Sequence, residues 1–159
     1  MKKAVLIQKI IASLDAELAL YAQSARAAHE EATHEQSKAE NKYDTRGLEA
    51  SYLAHGQSRQ AAETLRAREE YAAMEPKDFR PGAGIDIGAV VELEEGGEAE
   101  FYLIGPRAGG REIVHERKTF LVITPQSPLG SQLLGHKAGE QLTLEIGRAR
   151  RALRITSVL

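Results

Sequence analysis

The sequence predicts an α+β protein, an antiparallel helical hairpin (coiled coil) followed by a small β-sheet domain with one short helix. Three observations carry that expectation. Residues 3–74 contain no proline and, among glycines, only Gly47 and Gly56; these are the two residue types that cost most in a helix interior. Apolar residues in the same stretch recur every three or four positions, the spacing of one helix face. Beyond residue 84 the pattern changes to short runs of Val, Ile, Leu and aromatics set off by glycine, which reads as strands and turns.

Ile7, Ile10, Leu14, Leu18, Tyr21, Ala25, Ala28 and Ala32 form a continuous seam and predict a first long helix. Leu48, Tyr52, His55, Arg59, Ala62, Leu65, Glu69 and Ala72 mark a second seam with polar members, and so a second helix whose face is less sharply drawn. Between them, Glu40 to Gly47 loses the period and gains polarity, so the chain turns back there. At ~1.5 Å per residue such arms make a rod of roughly 45 to 55 Å, and its slim, alanine-lined end is expected to stand clear of the body.

Pro76 and Pro81 end the second helix, since neither can continue it. The expected division is a hairpin over 1–75, a linker over 76–84 and a C-terminal domain over 85–159. In that domain the spacing predicts strands over 89–93, 99–104, 119–123, 141–146 and 152–158. One helix is predicted over 128–134, with Ser127 as N-cap, Pro128 in its first turn and Gly135 closing it.

Lys and Arg number 21 against 23 Asp and Glu, a formal net charge of −2. Whole-chain attraction to duplex nucleic acid is therefore not indicated, because such binding rests on neutralising phosphates. With no cysteine there is no disulfide framework, thiolate metal site or cysteine nucleophile, as suits a reducing cytoplasm. No run reaches the ~20 apolar residues of a membrane span, so the chain reads as cytoplasmic and without membrane contact.

Ser127-Pro128-Leu129-Gly130-Ser131-Gln132-Leu133-Leu134-Gly135-His136-Lys137-Ala138-Gly139-Glu140 resembles the Ser-Pro-x-x-x-x-Leu-x-Gly-x-x-x-Gly-Asp/Glu segment of the Gre transcription elongation factors. Ile87 to Leu93 resembles their Gly-x-x-Val strand opening, and Tyr102-Leu103-Ile104-Gly105 their Tyr-x-Ile-Val-Gly stretch. The resemblance covers nearly the whole chain. It implies that the C-terminal domain is similar in shape to FKBP prolyl isomerases and docks on RNA polymerase, with Ser127, Pro128 and Leu133 among the partner-binding residues. The hairpin would then enter the polymerase secondary channel, with Lys42 and Arg46 meeting the partner near its tip. Nucleic acid would be met only indirectly, through the transcription complex. The protein is expected to be a monomer without a cofactor of its own, and no enzyme beyond assisting the polymerase's intrinsic transcript cleavage.

Cleavage factors of that family carry Gly-Asp-x-x-Glu-Asn-Ala-Glu-Tyr at the tip, and the two acids help hold a Mg²⁺ at the polymerase active site. Here the stretch is Tyr43-Asp44-Thr45-Arg46-Gly47-Leu48-Glu49-Ala50-Ser51-Tyr52. Aligned on Asp44, Gly47 takes the second acid position; aligned on Ala50 and Tyr52, Thr45 and Leu48 take both. Asp44 and Glu49 are the candidate catalytic and Mg²⁺-sharing pair, since carboxylate oxygens suit that hard cation. Against this, Asp44 is an apt N-cap and Glu49 an apt first-turn acid of the second helix. Two readings stay open, assisted cleavage and a non-cleaving channel regulator. A third, of a different class, is a dimerising coiled coil, which the break at Arg46-Gly47 disfavours.

The remaining constellations read as structural. His29 and His34 fall on different helix faces, and His55, His115 and His136 lack partners at ligand spacing. Gly105 to Gly110 lacks the Lys-Ser/Thr of a phosphate loop and reads as a hairpin turn. Arg148, Arg150 and Arg151 are placed in the turn before the last strand. The bases Lys38, Lys42, Arg46, Arg59, Arg66 and Arg68 are either a face for RNA or a solvated helix surface laced by pairs such as Glu63 with Arg66.

Overall fold

The computed structural model describes residues 2–33 and 46–159, with side chains over 2–31 and 56–159. Two helices, α1 (Lys3–Thr33) and α2 (Arg46–Ala73), precede six strands: β1 (Val90–Glu95), β2 (Glu98–Ile104), β3 (Glu112–His115), β4 (Lys118–Ile123), β5 (Gln141–Ile146) and β6 (Ala149–Val158). A short helix, α3 (Pro128–Leu133), lies between β4 and β5. The chain forms two compact units, one of Ile11–Glu69 and one of Met1–Ile10 with Glu70–Leu159. The packing boundary thus falls within both helices, whose bases belong with the sheet.

Within the helical unit the arms run antiparallel. Arg68 Nε donates to Asp15 Oδ1 at 2.9 Å and Thr64 Oγ1 to Glu17 Oε1 at 3.1 Å, so positions rise along α1 as they fall along α2. The break expected at Arg46-Gly47 is corrected, since α2 begins at Arg46 and takes in Gly47. The seam of α1 follows its apolar period, with Ile11, Leu14 and Ala28 buried and Leu18, Tyr21 and Ala25 half-buried. The seam of α2 is a correction. Arg59, Ala62, Leu65, Glu69 and Ala72 are exposed, whereas Thr64, Ala67 and Tyr71 are buried. The contact stripe is turned by one residue because it is built from a small residue, a hydroxyl with its own acceptor and a tyrosine, while Leu65 faces out, 46% exposed.

In the sheet unit the strand order is β3-β4-β2-β1-β6-β5. All pairs are antiparallel except β2 with β4, so the connection from β2 must carry the chain past β4 to β3. Gly105 to Gly110 makes that passage, and the hairpin turn expected there lies instead at Glu116-Arg117. Both turn residues take positive φ, 49° and 62°, a geometry that usually calls on Gly or Asn; without that signal β3 is invisible in the sequence. Leu93, Tyr102, Ile104, Leu144, Leu153 and Ile155 form the core on one face together with Leu129 and Leu133 of α3. Val90, Leu103, Phe120 and Val122, of the other face, are equally buried. The same unit contains the buried Leu6, Ile7, Ile10 and Tyr71 of the helix bases.

Candidate functional site

The sequence places the chemistry at the hairpin end. Asp44 and Lys42 lie in 34–45, outside the described residues. Arg46 and Glu49 fall in the first turn of α2, with side chains also outside the described ones. A helix start there favours an acid at Glu49, because the first-turn N–H groups present partial positive charge.

Behind that end the shaft carries both signs of charge. Arg68 is tied to Asp15, Arg66 stands 3.9 Å from Glu63 with both side chains mostly exposed, and Arg59 is exposed. The exposed Arg66–Glu63 pair adds little to stability, and Arg59 and Arg66 both lie open to solvent. His29 is exposed, His115 approaches Glu116 at 3.5 Å, and His136 meets Glu140 at 2.6 Å. Among the described residues no group of three or more His, Cys, Asp or Glu could hold a metal ion, and no helix is long and apolar enough to cross a membrane.

The segment that carries the family resemblance is built inward. Ser127 Oγ accepts from Gly130 N at 3.0 Å and donates to Thr124 O at 2.8 Å, capping α3, and Pro128 starts the first turn. Leu133 is fully buried. Gly135, at φ 81°, donates from its N to Ile85 O, and Ile85 N donates to His136 O. The His136 ring holds the Glu140 carboxyl below its usual range. Ser127 and Leu133 are therefore a cap and a core residue; of the three residues expected to meet a partner, only Pro128 is exposed. A side chain with no accessible surface cannot itself be a contact, so Leu133 acts by holding α3 against the core.

Two clusters escape the sequence reading. At the base of α2, Tyr71 Oη donates to Arg107 O at 2.8 Å, and Arg107 Nε donates to Glu70 Oε1 at 2.6 Å. Burial pushes the Tyr71 hydroxyl above its ordinary range. Nearby, Lys3 Nζ donates to Lys77 O and to Gly88 O and lies 4.5 Å over the Phe79 ring; burial lowers its ammonium below the usual lysine range. Only the misplaced α2 seam stood between the sequence and Tyr71.

The second cluster corrects the placement of Arg150 and Arg151, which belong to β6 and not to the turn. Arg151 donates to Glu95 at 2.8 and 2.5 Å and to Glu100 at 2.9 Å, while Tyr102 Oη donates to Glu100 at 2.6 Å. The Tyr102 bond first, then Arg151, lowers the Glu100 carboxyl, and burial with the same bond pushes Tyr102 up to about 12. A lowered folded-state value means Glu100 contributes stability above the usual carboxylate range and loses it as pH falls through that lowered value. Arg151→Met is therefore expected to cost about 1 kcal/mol at neutral pH, a modest figure for a partly exposed network. The cost should shrink on acidification, as urea unfolding at two pH values would measure.

The chain is similar to known proteins. The family model described as Transcription elongation factor, GreA/GreB, C-term matches residues 80–159. Transcription inhibitor protein Gfh1 from one strain of Thermus thermophilus is 29% identical over 126 residues, covering 73% of this chain and 72% of that protein; its counterpart from a second strain of the species is 28% identical over the same shares. Among solved structures, Gfh1 of Thermus thermophilus aligns over 96% of this chain and 94% of its own at 21% identity and TM-score 0.37. Gfh1 of Thermus aquaticus aligns over 95% and 92% at 22% identity and TM-score 0.38.

Proposed function

Because the chain belongs to the GreA/GreB family of transcription elongation factors, we propose that it binds RNA polymerase and regulates transcription by carrying the end of its helical hairpin into the secondary channel. The observation that carries this reading is the pair of antiparallel arms, 31 and 28 residues long, cross-linked at Asp15–Arg68 and Glu17–Thr64. At ~1.5 Å per residue each arm is roughly 40 Å or more in length, enough to reach an enclosed catalytic centre from a docking site on its rim.

Two facts favour a non-cleaving regulator over a cleavage factor. The tip keeps at most one acid of the family's pair, in whichever register it is aligned. Relatives covering nearly three quarters of the chain are named transcription inhibitors. In the alternative, Asp44 and Glu49 would share a Mg²⁺ of the polymerase, which keeps several waters and needs few protein ligands.

Backtracked elongation complexes incubated with Mg²⁺ and the protein separate the two. The regulator reading expects slower chain extension without shortened transcripts, and no change in that pattern for Asp44→Asn with Glu49→Gln. Shortened transcripts that disappear in the double variant would establish cleavage instead.

A further inference from the structure

The sheet ends in two edge strands, β3 and β5, and an uncovered edge is a template for another strand. Ile146 and Ala149 flank a two-residue turn and pair across it, and Ile155 N donates to Glu140 O at 2.9 Å. Alternation from both ends then turns the backbone groups of Leu142, Leu144 and Ile146 toward β6 and those of Gln141, Thr143 and Glu145 outward. At Glu145 the outward pair is already occupied. Glu145 N donates to Gln132 Oε1 at 3.0 Å, and Gln132 Nε2 donates to Glu145 O at 2.8 Å. One carboxamide on α3 thus satisfies both backbone groups, as a neighbouring strand would. At the opposite edge Lys9 Nζ donates to Val114 O at 2.7 Å.

We infer that Gln132 is an edge guard, whose carboxamide keeps the sheet from continuing into β5 of a second copy of this chain. The second copy is the fitting occupant because β5 is self-complementary. Antiparallel pairing centred on Thr143 sets Thr143 opposite its counterpart and Gln141 opposite Glu145, with no like charges facing. The strand, Gln141-Leu-Thr-Leu-Glu-Ile, also carries the alternating apolar pattern that pairs readily.

Gln132→Ala leaves a good helix former in α3, and Ser131→Ala on the neighbouring exposed position is the control. Hydrogen exchange should show the Glu145 amide opening about tenfold faster in Gln132→Ala, the equivalent of one lost hydrogen bond. Light scattering across a concentration series should show a dimer above the mass given by wild type and Ser131→Ala. Adding Thr143→Pro removes an outward N–H without touching the β6 ladder, and should restore the wild-type mass. The inference is overturned if Glu145 stays as protected as in wild type, if the deprotected variant keeps the wild-type mass, or if association survives Thr143→Pro.

Discussion

Gly130→Ala is expected to lower stability by about 3 kcal/mol or more, the upper range for forcing atoms into a packed interior. A Cβ there would stand 1.9 Å from Thr124 O and 2.8 Å from Ser127 Oγ. The first of these is main chain and cannot swing aside. Relief requires moving the first turn of α3, which breaks the Ser127 cap and withdraws Leu129 and Leu133 from the core they share with Leu93 and Ile155. Thermal unfolding should show a fall of several degrees per kcal/mol, against almost no shift for the exposed Ser131→Ala. A Gly130→Ala protein as stable as wild type would mean that α3 is not seated against Thr124 in this way.

Gly105→Ala is the second large effect, expected at about 2 to 3 kcal/mol on the same grounds. Its Cβ would lie 1.9 Å from Tyr71 Oη, 3.0 Å from Tyr71 Cζ and 3.0 Å from Val122 Cγ1. Tyr71 is held by its bond to the Arg107 carbonyl, so alanine displaces the residue that ties the base of α2 to the β2–β3 connection. Tyr71→Phe alone should cost about 1 kcal/mol through the lost hydrogen bond. Combined with Gly105→Ala it should recover part of the loss, because the clashing oxygen is gone. Contacting residues are where additivity fails; simply additive costs in the double-mutant cycle would contradict the packing described.

These residues also mark the limits of what the sequence discloses. The α1 seam is legible because Ile7, Ile10 and Leu14 are large, apolar and in phase. The α2 seam is not, since the strongest apolar signal, Leu65, is exposed and the buried positions are Thr64, Ala67 and Tyr71. Strands β1, β2, β4, β5 and β6 announce themselves by apolar runs between glycines. β3 does not, because Glu116 and Arg117 adopt a turn that their side chains do not advertise. The Ser127 to Glu140 segment foretells its helix and cap correctly, yet a motif shows which residues recur and not which way they face. Leu133, read as a contact, is core. Polar ties between distant positions, such as Arg151 with Glu95 and Glu100 or Tyr71 with Arg107, have no local periodicity and emerge only once the chain is folded. The tip pair Asp44 and Glu49 stands on the sequence alone.

A photo-crosslinking side chain at position 44, in protein bound to an RNA polymerase elongation complex, tests most directly whether the hairpin end reaches the catalytic centre. Adducts are expected on polymerase segments lining the channel to its active site, and they should be lost when a competing channel-binding protein is added. Binding without any such adduct, or adducts only on the outer surface of the polymerase, would contradict that route of action.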